Sequence, residues 1–506
     1  MHEHEMMCEN CSRLPFFSVT VASNGPLLCM CSTRRVTVGA AQPILSNCRR
    51  TVLLLFLLSL YYYQAYKQEE NPYMRLNKEM KHFAFVFLLA ILATVEARDG
   101  FVRTRGIHFM LNGYPYYANG FNAYWLMYTA SDPSQRFKVS NAFREAASHG
   151  LTVARTWAFS DSGYRPLQYS PGFYNEQMFT GLDFVISEAR KYRIKLILSL
   201  VNNYENFGGK KQYVNWARSH GQYLTSDDDF FRSPVVKGYY MNHVRTVLNR
   251  YNRFTGIHYK DDPTIMAWEL MNEPRCTSDP SGRTIQAWIT EMAWFVKSID
   301  RNHLLEAGLE GFYGQSTPQR KRLNPGFNIG TDFIANNRIP AIDFATVHCY
   351  PDQWVSSSNV QYQLSFLNNW LSAHFMDAQY AIRKPILLAE FGKSFRGSGY
   401  EAYERDEVFN AVYYKVYASA KRGGAAGGAL FWQLLTGGME SFQDGYGIML
   451  GQSSSTADLI ARQSRKLYLI RKIFARVANM RRWRRGRSSK GFSGSGGGNG
   501  GSHVGN

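Results

Sequence analysis

From residue 116 onward, short runs of β-branched, aliphatic and aromatic residues alternate with longer segments whose apolar positions recur at helical spacing. Eight runs read as strands: 116–121, 152–157, 195–200, 265–270, 304–307, 344–349, 386–389 and 429–432. Segments 181–193, 235–254, 283–299, 362–381 and 405–421 between them carry the helical period. Strands that are apolar throughout are buried on both faces, and strands separated by helices pair in parallel. Eight repeats of this kind fit closure into an α/β fold of the (β/α)8 or TIM-barrel type better than an open sheet. A last helix, around 461–477, sets Leu467, Ile470, Phe474 and Val477 on one face and suits the eighth helical position.

Two apolar stretches precede this domain. The first, 52–60, follows Arg49 and Arg50 and is too short to span a bilayer, which takes roughly 20 residues. The second has the parts of a secretory signal peptide. Met80, Lys81 and His82 form a basic start, 83–95 the apolar region, and Val95-Glu96-Ala97 a small-residue end. Residues 1–79 then read as a spurious or disordered extension, 80–97 as the signal peptide and 98–480 as one folded domain. Residues 481–506, basic and then Gly/Ser-rich, read as a disordered tail. The expected product is secreted to the extracellular space, with no stable membrane insertion after signal cleavage. A signal anchor at about 52–66 is the competing reading. No Asn-x-Ser/Thr sequon follows residue 97, so N-glycosylation of the mature chain is not expected.

The formal charge of +19 resembles a nucleic-acid signal until it is located. Residues 461–490 carry twelve Lys or Arg and no acid, so the folded region is nearly neutral and no nucleic-acid partner is implied. The basic end suits a polyanionic neighbour such as acidic wall polysaccharide, or is simply a solvated terminus. Five of the seven cysteines fall in the first fifty residues, leaving Cys276 and Cys349 in the folded part, which is no disulfide scaffold. Cys8/Cys11 and Cys29/Cys31 come close to a zinc spacing, but the second pair is one residue short and nothing around them reads as a compact module, so no metal site is expected. The 10 Trp, 32 Tyr and 33 Phe offer more flat apolar surface than a core calls for, and sugar rings are ligands that use it.

Catalytic groups of such barrels project from the C-terminal ends of the strands. After the fourth run comes Leu270-Met271-Asn272-Glu273-Pro274, and after the seventh Leu388-Ala389-Glu390-Phe391-Gly392, each placing a carboxylate at a strand mouth. Glycoside hydrolysis with retention needs one carboxylic acid to protonate the departing oxygen and one carboxylate about 5 Å away to attack the sugar. Glu273 and Glu390 are the candidates, on strands that face each other across a barrel. Arg155, ending the second run, is placed to keep Glu390 ionised while Glu273 holds its proton. Asn272 is placed to donate to a sugar hydroxyl, and Tyr350 to orient Glu390. His348 lies on the same face of the sixth strand, and Trp157 and Trp432 offer platforms for a sugar ring. His348 has no second ligand at metal spacing, and no nucleophile elbow is present.

At these residues the chain resembles the plant endo-β-1,4-mannanases of glycoside hydrolase family 5, over roughly residues 99–478. The likeness is carried by Gly120-Phe121-Asn122-Ala123-Tyr124-Trp125, Leu200-Val201-Asn202-Asn203-Tyr204, Leu309-Glu310-Gly311-Phe312-Tyr313-Gly314 and the segments 154–159, 271–276, 348–351 and 389–392. The resemblance implies endo-hydrolysis of internal β-1,4-mannosidic bonds in mannan, glucomannan and galactomannan, with retention and without a cofactor. By the family's motifs the acid/base follows Asn in Asn-Glu-Pro, here Glu273, and the nucleophile opens Glu-Phe-Gly, here Glu390. Trp157, Asn272, Tyr350 and Trp432 are implied to touch sugar, with Arg155 and His348 supporting the carboxylates. The short basic loop at 320–328, Cys349 and the Gly/Ser-rich end depart from the family's pattern. A cellulase or xylanase of the same fold, a mannan transglycosylase and an inert carbohydrate-binding barrel are the competing functions.

Overall fold

A computed structural model describes residues 100–490 except 327, 398 and 453, with side chains described to residue 477, and the backbone of residues 30–31 and 34–35. The chain divides into two units, 1–98 and 99–506. Of the first, the described part is a two-residue antiparallel ladder, Met30–Cys31 with Arg34–Arg35. The apolar stretches at 52–60 and 80–97, the pair Cys8/Cys11 and the Gly/Ser-rich end lie outside the described residues.

The second unit is built on eight strands: β1 (Ala118–Asn122), β2 (Val153–Trp157), β3 (Lys195–Ser199), β4 (Ile265–Glu269), β5 (Leu304–Glu306), β6 (Ala345–Cys349), β7 (Ile386–Phe391) and β8 (Ala426–Phe431). They form one parallel sheet in the order β5-β4-β3-β2-β1-β8-β7-β6. Asp343 spans the remaining seam between β5 and β6. Its N–H donates to the Leu305 carbonyl at 2.8 Å, and its carboxylate accepts from the Leu305 N–H at 2.8 Å. The eight-fold barrel anticipated from the alternation is therefore the observed fold.

One long helix follows most strands: α1 (Arg136–Ser148), α2 (Glu176–Lys191), α3 (Pro234–Asn249), α4 (Arg283–Ile299), the short α5 (Phe333–Arg338), α6 (Val360–Asp377), α7 (Ala402–Lys421) and α8 (Ser454–Lys490). Four of these helices, α2, α3, α5 and α6, start after a side-chain cap that satisfies the first free N–H groups. Asn175 caps α2, which consequently begins five residues before the expected 181, and Asn359 caps α6. Gly181 lies inside α2 because a side chain there would strike the backbone of 127–131. Helix α3 stops at Asn249, short of the expected 254, because Tyr251–Asn252 pairs with Ile257–His258.

Two apolar layers hold the unit together. Inside the barrel, at its N-terminal end, Phe109, Met266, Phe344, Leu387 and Leu430 pack against one another. Phe109 enters from the strand His108–Leu111, part of a three-stranded antiparallel sheet that precedes β1. The second layer lies between strands and helices and holds the large rings Trp268, Trp288 and Trp370. Leu467 and Ile470 of α8 join it, with Phe474 half-buried beside them, as the helical face anticipated. Asn119 of β1 ties α8 down, donating to the Ile460 carbonyl at 3.1 Å and the Ser464 hydroxyl at 2.8 Å.

Two further boundaries differ from expectation. The eighth strand begins at Ala426, three residues early, because Gly427 and Gly428 sit where side chains do not fit. A Cβ at 427 would meet the Phe109 ring, and one at 428, where φ is +150°, the Ala118 carbonyl. Helix α8 runs on to Lys490, so the arginine-rich stretch 481–485, which composition marks as disordered, is helical; Lys and Arg are good helix formers. Cys276 and Cys349 are both buried and free. No helix of the described residues is long and apolar enough to cross a membrane.

Gly428→Ala should therefore lower stability by about 1–3 kcal/mol or more, through a forced shift of β8 against β1. Urea unfolding of the variant checks this; an unchanged midpoint would contradict the crowding argument.

Candidate active site

Arg155, the middle residue of β2, lies inside the barrel and is 1 % exposed. A guanidinium has five N–H groups, and a buried one left unpaired is costly. All five are used. Nε and Nη2 grip both oxygens of Glu269 on β4 at 2.5 and 2.7 Å. Nη1 donates to Glu390 Oε1 on β7 at 2.5 Å and to Asn122 Oδ1 on β1 at 3.0 Å, and Nη2 also donates to Asn272 Oδ1 at 2.7 Å. Asn122 in turn donates to the Ala389 carbonyl at 2.8 Å, and Asn272 to Asn202 Oδ1 at 3.0 Å. The cation thus binds the ends of four strands to one point.

Glu273 and Glu390 open onto the same spot. With His348, each offers an oxygen or nitrogen within 4.8 Å of the others, the separation at which one carboxylate attacks a sugar carbon while the other protonates its substituent. Glu390, 4 % exposed, accepts from the Tyr350 hydroxyl at 2.6 Å as well as from Arg155. Glu273, 9 % exposed, accepts from the Tyr204 hydroxyl at 2.8 Å and lies 2.6 Å from His348 Nδ1. Its backbone is held at a φ of 51°, with its N–H donating to the Gly308 carbonyl at 2.9 Å. The three groups are also the one cluster of metal-ligand type among the described residues, yet the donors already aimed at both carboxylates make it a hydrogen-bonded pair.

Burial opposes the charge of every group here, and the partners decide which keep it. At Glu390 burial is the largest influence and holds the carboxyl above its ordinary value. The charges of His348 and Arg155 and the Tyr350 hydrogen bond pull the other way. Burial also acts first on Glu273, but the hydrogen bond and charge of His348, with Arg275 and Tyr204, outweigh it and hold that carboxyl low. His348 itself is raised: burial works against its charge, and Glu390 and Glu273 prevail. The free site therefore stores its proton on the Glu273–His348 hydrogen bond, on the imidazole side. This reverses the expectation of a protonated Glu273 beside an Arg155-held Glu390, because that expectation gave His348 no charge.

Several functional groups escaped the sequence reading. Glu269, fully buried within β4, stands in register with Glu306 on β5, so the charge of one acts on the other. Two buried carboxyls so placed cannot both stay charged without a large cost, so one takes a proton. Arg155 fills both oxygens of Glu269 and holds it at about 2 against the penalty of burial, so the proton belongs to Glu306. Burial and the charge of Glu269 push the Glu306 carboxyl well up, in agreement. Its Oε2 accepts from the Gly308 N–H and the Thr346 hydroxyl. Arg275, which steadies Tyr204 from 5.5 Å above the ring, pairs with Glu310 at 2.6 Å. An acid inside an otherwise apolar strand was the available signal for Glu269 and Glu306.

Aromatic rings form the wall. Trp157 lies under the Arg155 guanidinium at 5.0 Å and 6.3 Å from Trp432. Trp432 is fixed by its indole N–H on Asp444 at 2.6 Å and stacks on Tyr124 at 5.7 Å, 16° from parallel. The structure thus brings together all eight residues singled out from the sequence: Arg155 and Trp157, Asn272 and Glu273, His348 and Tyr350, Glu390 and Trp432.

Comparison with known proteins points the same way as the fold. The model of the GH family 5 beta-mannosidase-like family matches residues 99–444. Among curated proteins, mannan endo-1,4-beta-mannosidase 7 of Arabidopsis thaliana is 70% identical over 386 residues, 76% of this chain and 90% of that protein. Mannan endo-1,4-beta-mannosidase 1 of Oryza sativa subsp. japonica is 64% identical over 380 residues, 74% of this chain and 88% of that one. Among solved structures, the endo-beta-1,4-mannanase from Thermotoga petrophila superposes with a TM-score of 0.61 at 30% identity, covering 71% of this chain and 78% of that one.

The assignment of charge below the rim has a direct consequence. Glu306→Gln keeps that group neutral and should cost less than about 1 kcal/mol. Glu269→Gln leaves Arg155 short of its counter-ion and should cost about 3–5 kcal/mol. Urea titrations of both variants near neutral pH test the pair; equal losses would mean that Glu306 is ionised.

Proposed function

The chain belongs to glycoside hydrolase family 5, among its beta-mannosidase-like members, and on that premise we propose that it is a retaining endo-β-1,4-mannanase. It cleaves internal β-1,4-mannosidic bonds of mannan, galactomannan and glucomannan, with Glu390 as nucleophile and Glu273 as acid/base. The observation that carries the reading is the pairing of two buried carboxyls within reach of one sugar. One bears a cation and a tyrosine hydroxyl, and the other shares a proton with a histidine.

In the first step Glu390 attacks the anomeric carbon and the bond to the departing sugar oxygen breaks. The proton stored on the Glu273–His348 bond goes to that oxygen through Glu273. The product is a glycosyl ester on Glu390. In the second step water attacks the same carbon, Glu273 accepts its proton, and Glu390 leaves as the carboxylate, so configuration is retained. Arg155 and Tyr350 keep the attacking oxygens of Glu390 in place, while Trp157 and Trp432 face the sugar rings. Asn272, already holding Arg155 and Asn202, has one amide hydrogen left for a substrate hydroxyl.

Export to the cell wall belongs to the same reading and is supported by the signal-peptide pattern at 80–97. Adhesion of the basic C-terminal segment to acidic wall polysaccharide is supported by its twelve cations.

Hydrolysis of mannan, cellulose and xylan by the mature chain tests the substrate class, and mannan should be the one degraded. Glu390→Ala should abolish turnover. Glu273→Ala should lower kcat/KM about 10²–10⁴-fold on natural substrates, with much less loss on activated aryl glycosides that need no acid. Azide should rescue the first variant with inversion and the second with retention. Normal rates in Glu390→Ala would remove the mechanism.

The pH profile has a defined sign. Glu390 must be ionised to attack and burial raises it, so the acidic limb of kcat/KM lies above the ordinary glutamate value of 4.5. The stored proton must be present, and His348 is raised from 6.5, so the alkaline limb lies above that pH. The Tyr350 hydroxyl lowers Glu390, so Tyr350→Phe should move the acidic limb further up. A limb that stays put or moves down in that variant would place the titrating group elsewhere.

A further inference from the structure

At the end of the barrel away from the catalytic mouth, the residues that lead into β1 and β2 and the helices α1 and α8 line a recess of about 340 Å³. Small-molecule sites occupy roughly 300–1,000 Å³. The lining includes Tyr117, Asn119, His149, Arg465, Tyr468 and Arg471. Gly150, with φ at +72°, lets the end of α1 close against α8, since a Cβ there would lie 2.9 Å from the Ser464 Cβ.

Two cations face this space with nothing to bind. Neither Arg465 nor Arg471 has an acidic partner or a hydrogen bond among the described residues, and no Asp or Glu lines the recess. The end of α1, whose free carbonyls would attract cations, does not use them either. The Glu145 carbonyl accepts from His149 Nδ1 at 2.8 Å, and the Ala146 and Ala147 carbonyls accept from the Leu151 and Gly150 N–H groups, each at 3.0 Å. The helix therefore closes on itself. Burial pushes the Tyr116 hydroxyl up to about 12, and the charge of Arg471 acts on it in the opposite sense, so that guanidinium lies close to the floor.

The rest of the lining suits more than a bare anion. Tyr468 is 55 % exposed and is steadied by the Lys472 ammonium 4.7 Å from its ring centre. Asn119, 2 % exposed, spends its amide hydrogens on the Ile460 carbonyl and the Ser464 hydroxyl, which leaves its Oδ1 without a donor. A phosphate would leave the ring unused, and an aromatic acid would leave the polar floor unused. A sugar carrying a carboxylate uses ring, floor and arginines together.

We propose that the recess binds a uronosyl residue, a pyranose bearing a carboxylate, and so anchors the protein on acidic polysaccharide from the side opposite the catalytic mouth. Arg465 and Arg471 take the carboxylate, and Tyr468 takes the C–H face of the ring. This rests on the reading that acidic polysaccharide is the partner of the basic segment, and it gives that partner a shaped site.

Calorimetry of the whole chain with trigalacturonate at low ionic strength should show binding that Arg465→Gln with Arg471→Gln weakens about tenfold or more, and Tyr468→Ala about threefold or more. Arg462→Gln with Arg476→Gln removes the same charge from the same helix outside the recess and should weaken it no more than about twofold. Equal losses in the two double variants mean a diffuse attraction and overturn the site. Inorganic phosphate bound as tightly as trigalacturonate, or no effect of Tyr468→Ala, overturns the sugar as occupant. Retention on immobilised polygalacturonate that survives the Arg465/Arg471 change, but is lost when Arg481, Arg482, Arg484 and Arg485 all become Gln, leaves the adhesion reading standing and overturns the recess as its anchor. If the whole chain is not retained at all, the adhesion reading fails, and the trigalacturonate titrations still decide the recess.

Discussion

The buried guanidinium of Arg155 is the constraint on which barrel and site both depend. Taking such a cation out of water costs several kcal/mol unless every N–H finds an acceptor. Here the acceptors come from β1, β4, β7 and the turn after β4. A register error in any of these strands would orphan part of the cation, so the requirement that closes the mouth also fixes the nucleophile. Glu390 is short of freedom for the same reason: one oxygen is held by Arg155, the other by Tyr350.

The charge at the mouth then follows from how few cations serve many acids. Glu269, Glu273, Glu306, Glu310 and Glu390 are all buried, against Arg155, Arg275 and His348. Five anions in that volume are not sustainable, and the least well-paired acid gives way. Glu306, with no cation of its own, takes a proton. This leaves Glu269 free to serve Arg155 and leaves Arg155 to serve Glu390. His348, pressed between two carboxyls, takes the other proton and stores it at 2.6 Å from the group that must spend it.

Much of this was legible in the sequence for a physical reason. Strands buried on both faces are apolar throughout, so seven of the eight stand out, and a carboxylate immediately after such a run lies at the rim. The eighth was read short because Ala426-Gly427-Gly428 carries the composition of a turn. The crowding that demands glycine there comes from Phe109 and Ala118, over 300 residues away in the chain. The acids within the strands were missed for a related reason. Glu269 sits in Ile265–Glu269 as an interruption of an apolar run, and its meaning depends on Arg155 and Glu306 across the barrel. The proton order at the rim was misjudged because spacing shows that His348 is near, but not that its Nδ1 faces Glu273 rather than Glu390.

The two ends of the barrel divide the physical work. At the N-terminal end Phe109, Gly427 and Gly428 pack without spare volume, which gives the strands a base that does not yield. At the C-terminal end the backbone departs from comfortable conformations at Glu273, with φ 51°, and at Phe207, with φ 63°. Strain at the rim is tolerable only because the lower layer over-determines the strand positions. The loops after β3 and β4 that hold both residues are also joined to each other, Asn202 bridging to Asn272 and Asn203 N–H donating to the Asn272 carbonyl at 3.1 Å. The acid that must meet the scissile oxygen and the strained turn at Phe207 are therefore carried on one connected piece of backbone, whose position the guanidinium below sets through Asn272.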